Sequence, residues 1–408
     1  MIPIGQPLVG TAEAEAAAET VLSGWLTQGP QVAAFEAEFA AFVGAPFACA
    51  VSNCTTALHL ALQACGVDAE REVIVPSHTF VATANAIRQC GGTPVFVDID
   101  PATFNLDPNH VATALSDKTA AIVCVHQMGM PCDLSRLVPL ARAHGVPLIE
   151  DAACAAGSQI RMDGEWQRIG RPHGDVACFS FHPRKVITTG DGGMLTTRHP
   201  EWDRLFRLWR QHGMSVSDTV RHGSATVVFE TYPVQGYNYR MTDLQAAVGR
   251  QQLKRLPEIV AARRRHAEHY AALLEGVTGT LKPCEPDWAR SNWQSYCVRL
   301  PPRVSQRRVM QSLLDRGIAT RRGIMCCHRE EAHADVSKGD LAHSEAAQDK
   351  CILLPLYAQM TRSTQAEIVE ALTLALVRED RVPRTRAVPA SSPGSPLPSD
   401  EETAPLHS

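Results

Sequence analysis

The stretch LSRLVPLARAHGVPLIED, Leu134 to Asp151, holds a helix and a strand in immediate succession. Leu134–His144 reads as a helix, and Val146–Glu150 as a short apolar strand that ends on an acid, Asp151. The same alternation continues upstream. Ala120–Val125 is a strand ending at His126, and Pro94–Val97 a strand ending at Asp98. Phe80–Gln89 reads as a helix, Val73-Ile74-Val75 as a strand closed by Pro76, and Thr56–Ala64 as a helix. Apolar strands separated by helices predict a mostly parallel sheet covered on both faces. Polar residues fall repeatedly just past the strands, where open α/β sheets bind ligands.

Outside this block the texture changes. A first helix is expected after Thr11, read as its N-cap, with Glu13 and Glu15 in the favourable first turn and an end at Gly24. A second carries Phe35, Phe39, Phe42 and Val43 on one face and stops at Gly44. Beyond about residue 250, Gln251–Leu274 reads as a long basic helix. Ser295–Leu300, Arg308–Arg316 and Ile352–Leu354 then suggest a smaller α+β unit. The last helix begins near Thr361–Thr364, with Thr364 and Glu367 in capping-box spacing and Ile368, Ala371, Leu372, Ala375 and Leu376 on one face. The expected organisation is a large α/β domain at 1–250, a small α+β domain at 251–378 and a disordered tail at 379–408, where six prolines fall between Pro383 and Pro405.

Composition narrows the function classes. The 408 residues include 39 Lys and Arg against 43 Asp and Glu, a net charge of −4. That balance offers no electrostatic footprint for nucleic acid or an anionic membrane. No apolar run reaches the length of a membrane span, and Met1–Gly5 lacks a basic, apolar leader, so a cytoplasmic protein is expected. The 13 cysteines are odd in number and have no C-x-x-C spacing. Cys326-Cys327-His328 is the densest spot, but adjacent cysteines are poor tetrahedral partners, so no metal is expected. Reduced cysteines serving as small hydrophobes is the reading that remains.

Three segments carry chemistry. In Asn53-Cys54-Thr55-Thr56-Ala57-Leu58, the strand-like Ala50-Val51 meets a helix whose first N–H groups and hydroxyls could hold an anion, though such threonines also serve as simple caps. Asp151 at its strand end could ligate a metal, contact a ribose, pair with a buried cation, or be a solvated loop carboxylate. Ser180-Phe181-His182-Pro183-Arg184-Lys185 precedes the glycine-rich Thr188-Thr189-Gly190-Asp191-Gly192-Gly193. There Lys185 is either a surface lysine or an amine whose pKa desolvation and cationic neighbours lower. A P-loop and a dinucleotide fingerprint are both missing, which opposes nucleotide hydrolysis and a nicotinamide oxidoreductase. A phosphate cradle, an acid and a lysine at the strand ends of a parallel sheet fit pyridoxal phosphate, which needs one of each.

With those residues in place, the chain resembles the DegT/DnrJ-type sugar-nucleotide aminotransferases, of the perosamine-synthase-like kind. The resemblance covers Ile2 to Arg378. It rests on Ser23–Pro30, Asn53–Leu58, Pro76–Ala82, Glu150–Ala153, Ser180–Lys185, Gly236–Arg240 and Leu353–Tyr357. It implies the fold-type-I, aspartate aminotransferase-like architecture. Lys185 is then the Schiff-base lysine and Asp151 the partner of the pyridine nitrogen. Thr55, the Cys54 backbone and Ser180 hold the phosphate, Phe80 stacks on the ring, and Cys154 lies beside the cofactor. Asn238 reaches the phosphate of a neighbouring subunit, which implies a homodimer with composite sites. Trp25, Thr27 and His328 match sugar-side elements, and His182 and Arg184 would meet either a diphosphate or solvent.

Two residues depart from the family's pattern: Cys54 where Gly is frequent, and Cys154 where Gln or His is frequent. Cys54 fits a backbone contact only if its φ is negative. Lysine at 185 argues against the family's dehydratases, which carry His there. The implied activity is transfer of an amino group, with glutamate as donor, to a 3- or 4-keto-6-deoxyhexose nucleotide, for a surface polysaccharide or a glycosylated natural product. The rival readings are an aminotransferase acting on a ketone such as an aminocyclitol precursor, and a noncatalytic regulatory homologue.

Overall fold

All residues of Leu148–Asp151 and Val176–Ser180 are buried, because the sheet that holds them is covered on both faces. The computed structural model describes residues 1–336 and 339–380. Its strands follow in chain order: β1 (Phe47–Val51), β2 (Glu72–Pro76), β3 (Thr93–Val97), β4 (Thr119–Val125) and β5 (Leu148–Asp151). A hairpin, β6 (Gln159–Met162) and β7 (Glu165–Arg168), precedes β8 (Val176–Ser180) and β9 (Gly193–Thr197). The main sheet has seven strands in the order β1-β9-β8-β5-β4-β2-β3. The β2–β3, β2–β4, β4–β5 and β5–β8 pairs are parallel. β9 runs antiparallel to both β8 and β1, so β1 shares the direction of the parallel set. The carboxyl ends of β1, β2, β4, β5 and β8 therefore open on one edge of the sheet.

The long helix Asp243–Leu274 ties the core to the chain's start. Buried Asp243 accepts N–H bonds from Gly29, Gln31 and Val32 at 2.8, 3.1 and 2.9 Å, and so caps the helix Pro30–Val43. A carboxylate at a helix N-terminus gains from the macrodipole and satisfies otherwise orphaned donors. The helix then lays Phe35 and Phe39 against Phe181 and Phe179, with ring centroids 5.3 and 4.9 Å apart. The same long helix gives Ala246, Leu253 and Leu256 to that core, and Tyr270 and Leu274 to a second one.

The second core lies against a smaller sheet. β10 (Ala289–Arg290) joins the β6–β7 hairpin, while β11 (Tyr296–Arg299), β12 (Arg321–Arg322) and β13 (Cys351–Leu354) form a three-stranded sheet in the order β11-β13-β12. Helices Gln306–Leu314 and Arg362–Asp380 pack there through Leu313, Ile368, Ala371 and Leu372. Ile2 also belongs to this region: its N–H donates to Gly317 O at 2.7 Å, and its carbonyl accepts from Ala319 N at 2.9 Å. The two cores are the basis for proposing a large and a small domain. The backbone passes between them in the first residues and along the long helix, and it returns to the large unit at β10 and at Cys327, Val336 and Leu341.

Several local expectations change. Thr11 is the first helical residue rather than the cap; Glu13 reaches back instead to the Gly10 N–H at 2.8 Å. The long basic helix begins at Asp243, where Thr242 and Gln245 form the capping box. In the last helix Thr361, not Thr364, caps: its hydroxyl accepts the Thr364 N–H at 3.1 Å. That helix also takes in Glu379 and Asp380, and the rest of the expected tail, 381–408, lies outside the described residues.

Candidate active site

The sheet edge described above is one wall of a cavity of about 970 Å³. Asn53, Cys54 and Thr55 follow β1, and Thr79 and Phe80 follow β2. Gln127 follows β4, while Asp151 and Ser180 end β5 and β8. The small sheet and the chain's start also line it, with Arg321, Arg322, Leu353, Gly5 and Gln6. Lys185 and Cys154 line it as well.

The phosphate-type cradle is built locally. Asn53 caps the helix Cys54–Ala64, its side-chain oxygen accepting the Thr56 N–H at 2.9 Å. The Cys54 and Thr55 N–H groups in the first turn have no intrahelical acceptor and are free for an anion. Cys54 is not among the non-glycine residues with positive φ, so a cysteine is accommodated there without backbone strain. Its sulfur points into the protein, 3.6 Å from Cys178 O. Gly193 lets β9 run directly behind this turn. A Cβ there would meet Asn53 O at 2.4 Å, its carbonyl carbon at 2.5 Å and Cys54 N at 2.8 Å. Gly193→Ala is therefore expected to push the helix start outward, costing about 1–3 kcal/mol and weakening cofactor retention. Urea unfolding and a cofactor-release titration check both effects.

Asp151 is 4% exposed. Its Oδ2 accepts the Thr83 hydroxyl at 2.8 Å and its Oδ1 the Ala153 N–H at 3.1 Å. Burial holds its pKa above the ordinary 3.8, against the lowering effects of Thr83, Ala153 and Lys185. A buried carboxylate in a cavity wall with only neutral donors on its oxygens favours a cationic ligand. Behind it, His126 Nε2 meets Glu150 Oε2 at 3.0 Å, and its Nδ1 accepts the Cys132 N–H at 2.9 Å, which anchors the ends of β4 and β5 together.

Lys185 Nζ donates to Cys154 Sγ at 3.1 Å. The sequence pointed to a depressed lysine pKa, and the structure reverses the sign. Burial pushes it down, but Cys154, Cys54 and Asp151 together hold the ammonium above its ordinary range. The acidic and thiol neighbours outweigh burial. Phe80, which ends up as the N-cap of Val81–Gln89, is 59% exposed despite being fully apolar. Its ring is part of the cavity wall rather than the core, where a flat ligand would cover it.

Of the residues singled out from the sequence, Lys185, Asp151, Cys54, Thr55, Phe80, Ser180 and Cys154 line this single cavity. Asn238 does not; it is exposed and pairs with Gln211 through a backbone bridge. Trp25, Thr27 and His328 do not line it either. The Trp25 indole N–H reaches Gln28 O at 3.3 Å, and the Thr27 carbonyl accepts the Asp243 N–H. His328 is buried, with Nδ1 at Ser77 Oγ and Nε2 3.0 Å from Glu345 Oε1, so both ring nitrogens are used in holding its own loop. The structure adds Thr83, Arg321 and Arg322. Thr83 sits in an Ala-rich helix start with no motif of its own, and Arg321–Arg322 is a two-residue strand too short for periodicity to reveal.

The buried acid, the half-covered lysine, the exposed aromatic and the free helix start suit the ring nitrogen, aldehyde, ring face and phosphate of pyridoxal phosphate. The DegT/DnrJ/EryC1/StrS aminotransferase family matches residues 7–373. The chain belongs to this family. The spore coat polysaccharide biosynthesis protein SpsC of Bacillus subtilis is 36% identical over 91% of this chain and 96% of its own length. GDP-perosamine synthase of Caulobacter vibrioides is 36% identical over 92% and 98%. The crystal structure of the aminotransferase TlmJ from Streptoalloteichus hindustanus superposes with a TM-score of 0.85 at 36% identity, covering 93% of this chain and 99% of that one. As a DegT/DnrJ/EryC1/StrS aminotransferase, the protein is a pyridoxal phosphate-dependent transaminase of fold type I.

Proposed function

We propose that this aminotransferase moves an amino group from L-glutamate to the keto carbon of a 3- or 4-keto-6-deoxyhexose nucleotide, in the biosynthesis of an amino sugar. The observation that carries the reading is the cavity that gathers Lys185, Asp151 and the free helix start together with Arg321 and Arg322. Its volume stands at the upper end of ligand sites, with room for a cofactor and a second, anionic molecule. Relatives that include a GDP-perosamine synthase support the substrate class.

In this reading Cys54 N–H, Thr55 and Ser180 hold the cofactor phosphate, Phe80 covers the ring, and Asp151 keeps the ring nitrogen protonated. Thr83 and Ala153 orient that carboxylate. Pyridoxal phosphate, when bound, supplies the electron sink that lets a proton leave the donor's α-carbon. Lys185 Nζ holds the cofactor and then, released by the donor, carries that proton as general base. Asn238, exposed and outside its own cavity, completes the phosphate site of a partner subunit in a homodimer. Among the described residues no helix is long and apolar enough to cross a membrane, and we place the enzyme in the cytoplasm.

The test is the visible spectrum of the purified protein, before and after L-glutamate, followed by keto-sugar nucleotides with product detection by mass spectrometry. Bleaching of the cofactor band by glutamate and its return with one keto-sugar nucleotide is the expected result. A band indifferent to glutamate removes it as donor. Return of the band only with a ketone lacking a nucleotide removes the substrate class.

A further inference from the structure

Lys185 Nζ and Cys154 Sγ stand 3.1 Å apart, and both side chains face the open cavity. This contact, together with access from the cavity, singles Cys154 out. Cys132, held against burial below the usual thiol range by Cys124 and His126, is fully buried and lines no part of the cavity. Burial pushes the thiols of Cys49, Cys90, Cys326 and Cys327 up to about 12, which makes them poor nucleophiles. Cys284 is exposed, but its sulfur meets only a backbone carbonyl. A thiol reached by solvent and held against an ammonium is the arrangement that favours reaction with peroxide.

We propose that Cys154 and Lys185 form a peroxide-responsive pair, in which oxidation of the thiol joins Sγ to Nζ and withdraws the lysine from the cofactor. In the first step the thiol attacks hydrogen peroxide. The O–O bond breaks, sulfur is oxidised by two electrons to the sulfenic acid, and water leaves. In the second step the Nζ lone pair attacks that sulfur and the S–O bond breaks. The hydroxyl leaves as a second water with one proton from the amine, and an S–N sulfenamide remains. The product is the starting pair less two hydrogens, and an external thiol reverses it by attacking the sulfur.

Proximity makes the second step effectively unimolecular, so trapping by the amine precedes further oxidation. Oxidation also alters the charge balance on the lysine. Burial pushes the ammonium down, and Cys154 is the foremost group opposing it. Once the sulfur is a neutral sulfenic acid, that opposition is lost and only Cys54 and Asp151 still work against burial, so the amine gives up its proton and frees its lone pair more readily. Because cofactor attachment occupies the same nitrogen, the pair is exposed in the cofactor-free protein and whenever an amino donor has released Lys185. This second condition rests on the function proposed above; the cross-link itself does not.

The experiment treats the full chain with hydrogen peroxide in three states: cofactor-free, cofactor-loaded, and cofactor-loaded with L-glutamate. Peptide mass spectrometry follows. The expected product is a peptide pair joined through Cys154 and Lys185, two hydrogens lighter than its parts. It should be abundant in the cofactor-free and glutamate-treated states, scarce in the loaded one, and removed by dithiothreitol. Cys154→Ser should abolish it. In Lys185→Arg, Cys154 should proceed to the sulfinic acid. Cys154 found as sulfinic acid beside an unmodified Lys185 in the cofactor-free wild type overturns the pair, as does Cys154 remaining a thiol while Cys284 oxidises. A cross-link that forms without cofactor but is not promoted by glutamate upholds the pair and refutes glutamate as donor.

Discussion

Lys185→Ala is expected to lose transamination by about 10⁴-fold or more, the upper range for a positioned acid–base group, since the same nitrogen is also the point of cofactor attachment. No other lysine among the described residues lines the cavity, so no neighbouring amine can substitute. The folded state should hardly change, because Lys185 belongs to none of the hydrophobic cores and its truncation leaves the aromatic cluster under it intact. Truncation also removes a positive charge beside Asp151 and leaves the Cys154 thiol without its donor. Three readings check the prediction together: single-turnover rate, the visible cofactor band, and thermal unfolding. Lys185→Arg separates charge from chemistry. The guanidinium keeps the positive charge but is effectively never deprotonated, so it serves as neither nucleophile nor base. Equal inactivity of the two variants is the expected outcome; appreciable turnover by either removes Lys185 from its assigned role.

What the sequence made legible follows from which forces are local. Apolar runs bounded by turn residues set β2 to β5, and the polar residues that end them are placed together by the parallel direction alone. That is why Asp151 and the helix start at Asn53–Leu58 stand out in the sequence as a possible ligand site, whereas the roles of Ser180 and Phe80 come only with the resemblance to the family. The antiparallel β9 escaped notice, because Gly190 to Gly193 reads only as a turn, and its pairing with β1 joins residues about 150 positions apart in the chain. Helix starts were misplaced wherever the cap came from a distant carboxylate or a neighbouring residue, as with Gly10 and Glu13. The small sheet's share of the site was invisible for a similar reason. Arg321 and Arg322 reach the cavity because β12 pairs with β13, and no local pattern announces a two-residue strand. The sign of the lysine's pKa shift needed the Cys154 contact, which depends on how the chain turns after Asp151.

Asp151→Asn should separate stability from catalysis. The amide can be accommodated: its oxygen takes the Ala153 N–H, and its NH₂ donates to Thr83 Oγ1, whose own proton turns to Thr79 Oγ1 at 3.0 Å. What disappears is a buried charge with only neutral donors on it. Asp151 has a folded pKa above its ordinary 3.8, so between the two values the folded state binds more proton than the unfolded. Stability then falls as pH rises through that window, and the penalty is fully present above the folded pKa. In the cofactor-free state, therefore, the variant should unfold at higher temperature than wild type near neutral pH, and the advantage should vanish toward pH 4. Pyridoxal phosphate reverses the order. A protonated ring nitrogen is the cation that the carboxylate favours, so the gain in unfolding temperature on loading should be smaller in the variant. Turnover should fall by about 10²–10⁴-fold, the range for a single positioned electrostatic or proton-holding group. A variant as active as wild type, or one whose cofactor-free form is less stable at neutral pH, contradicts the assignment of Asp151 as the ring-nitrogen partner held at a cost to the fold.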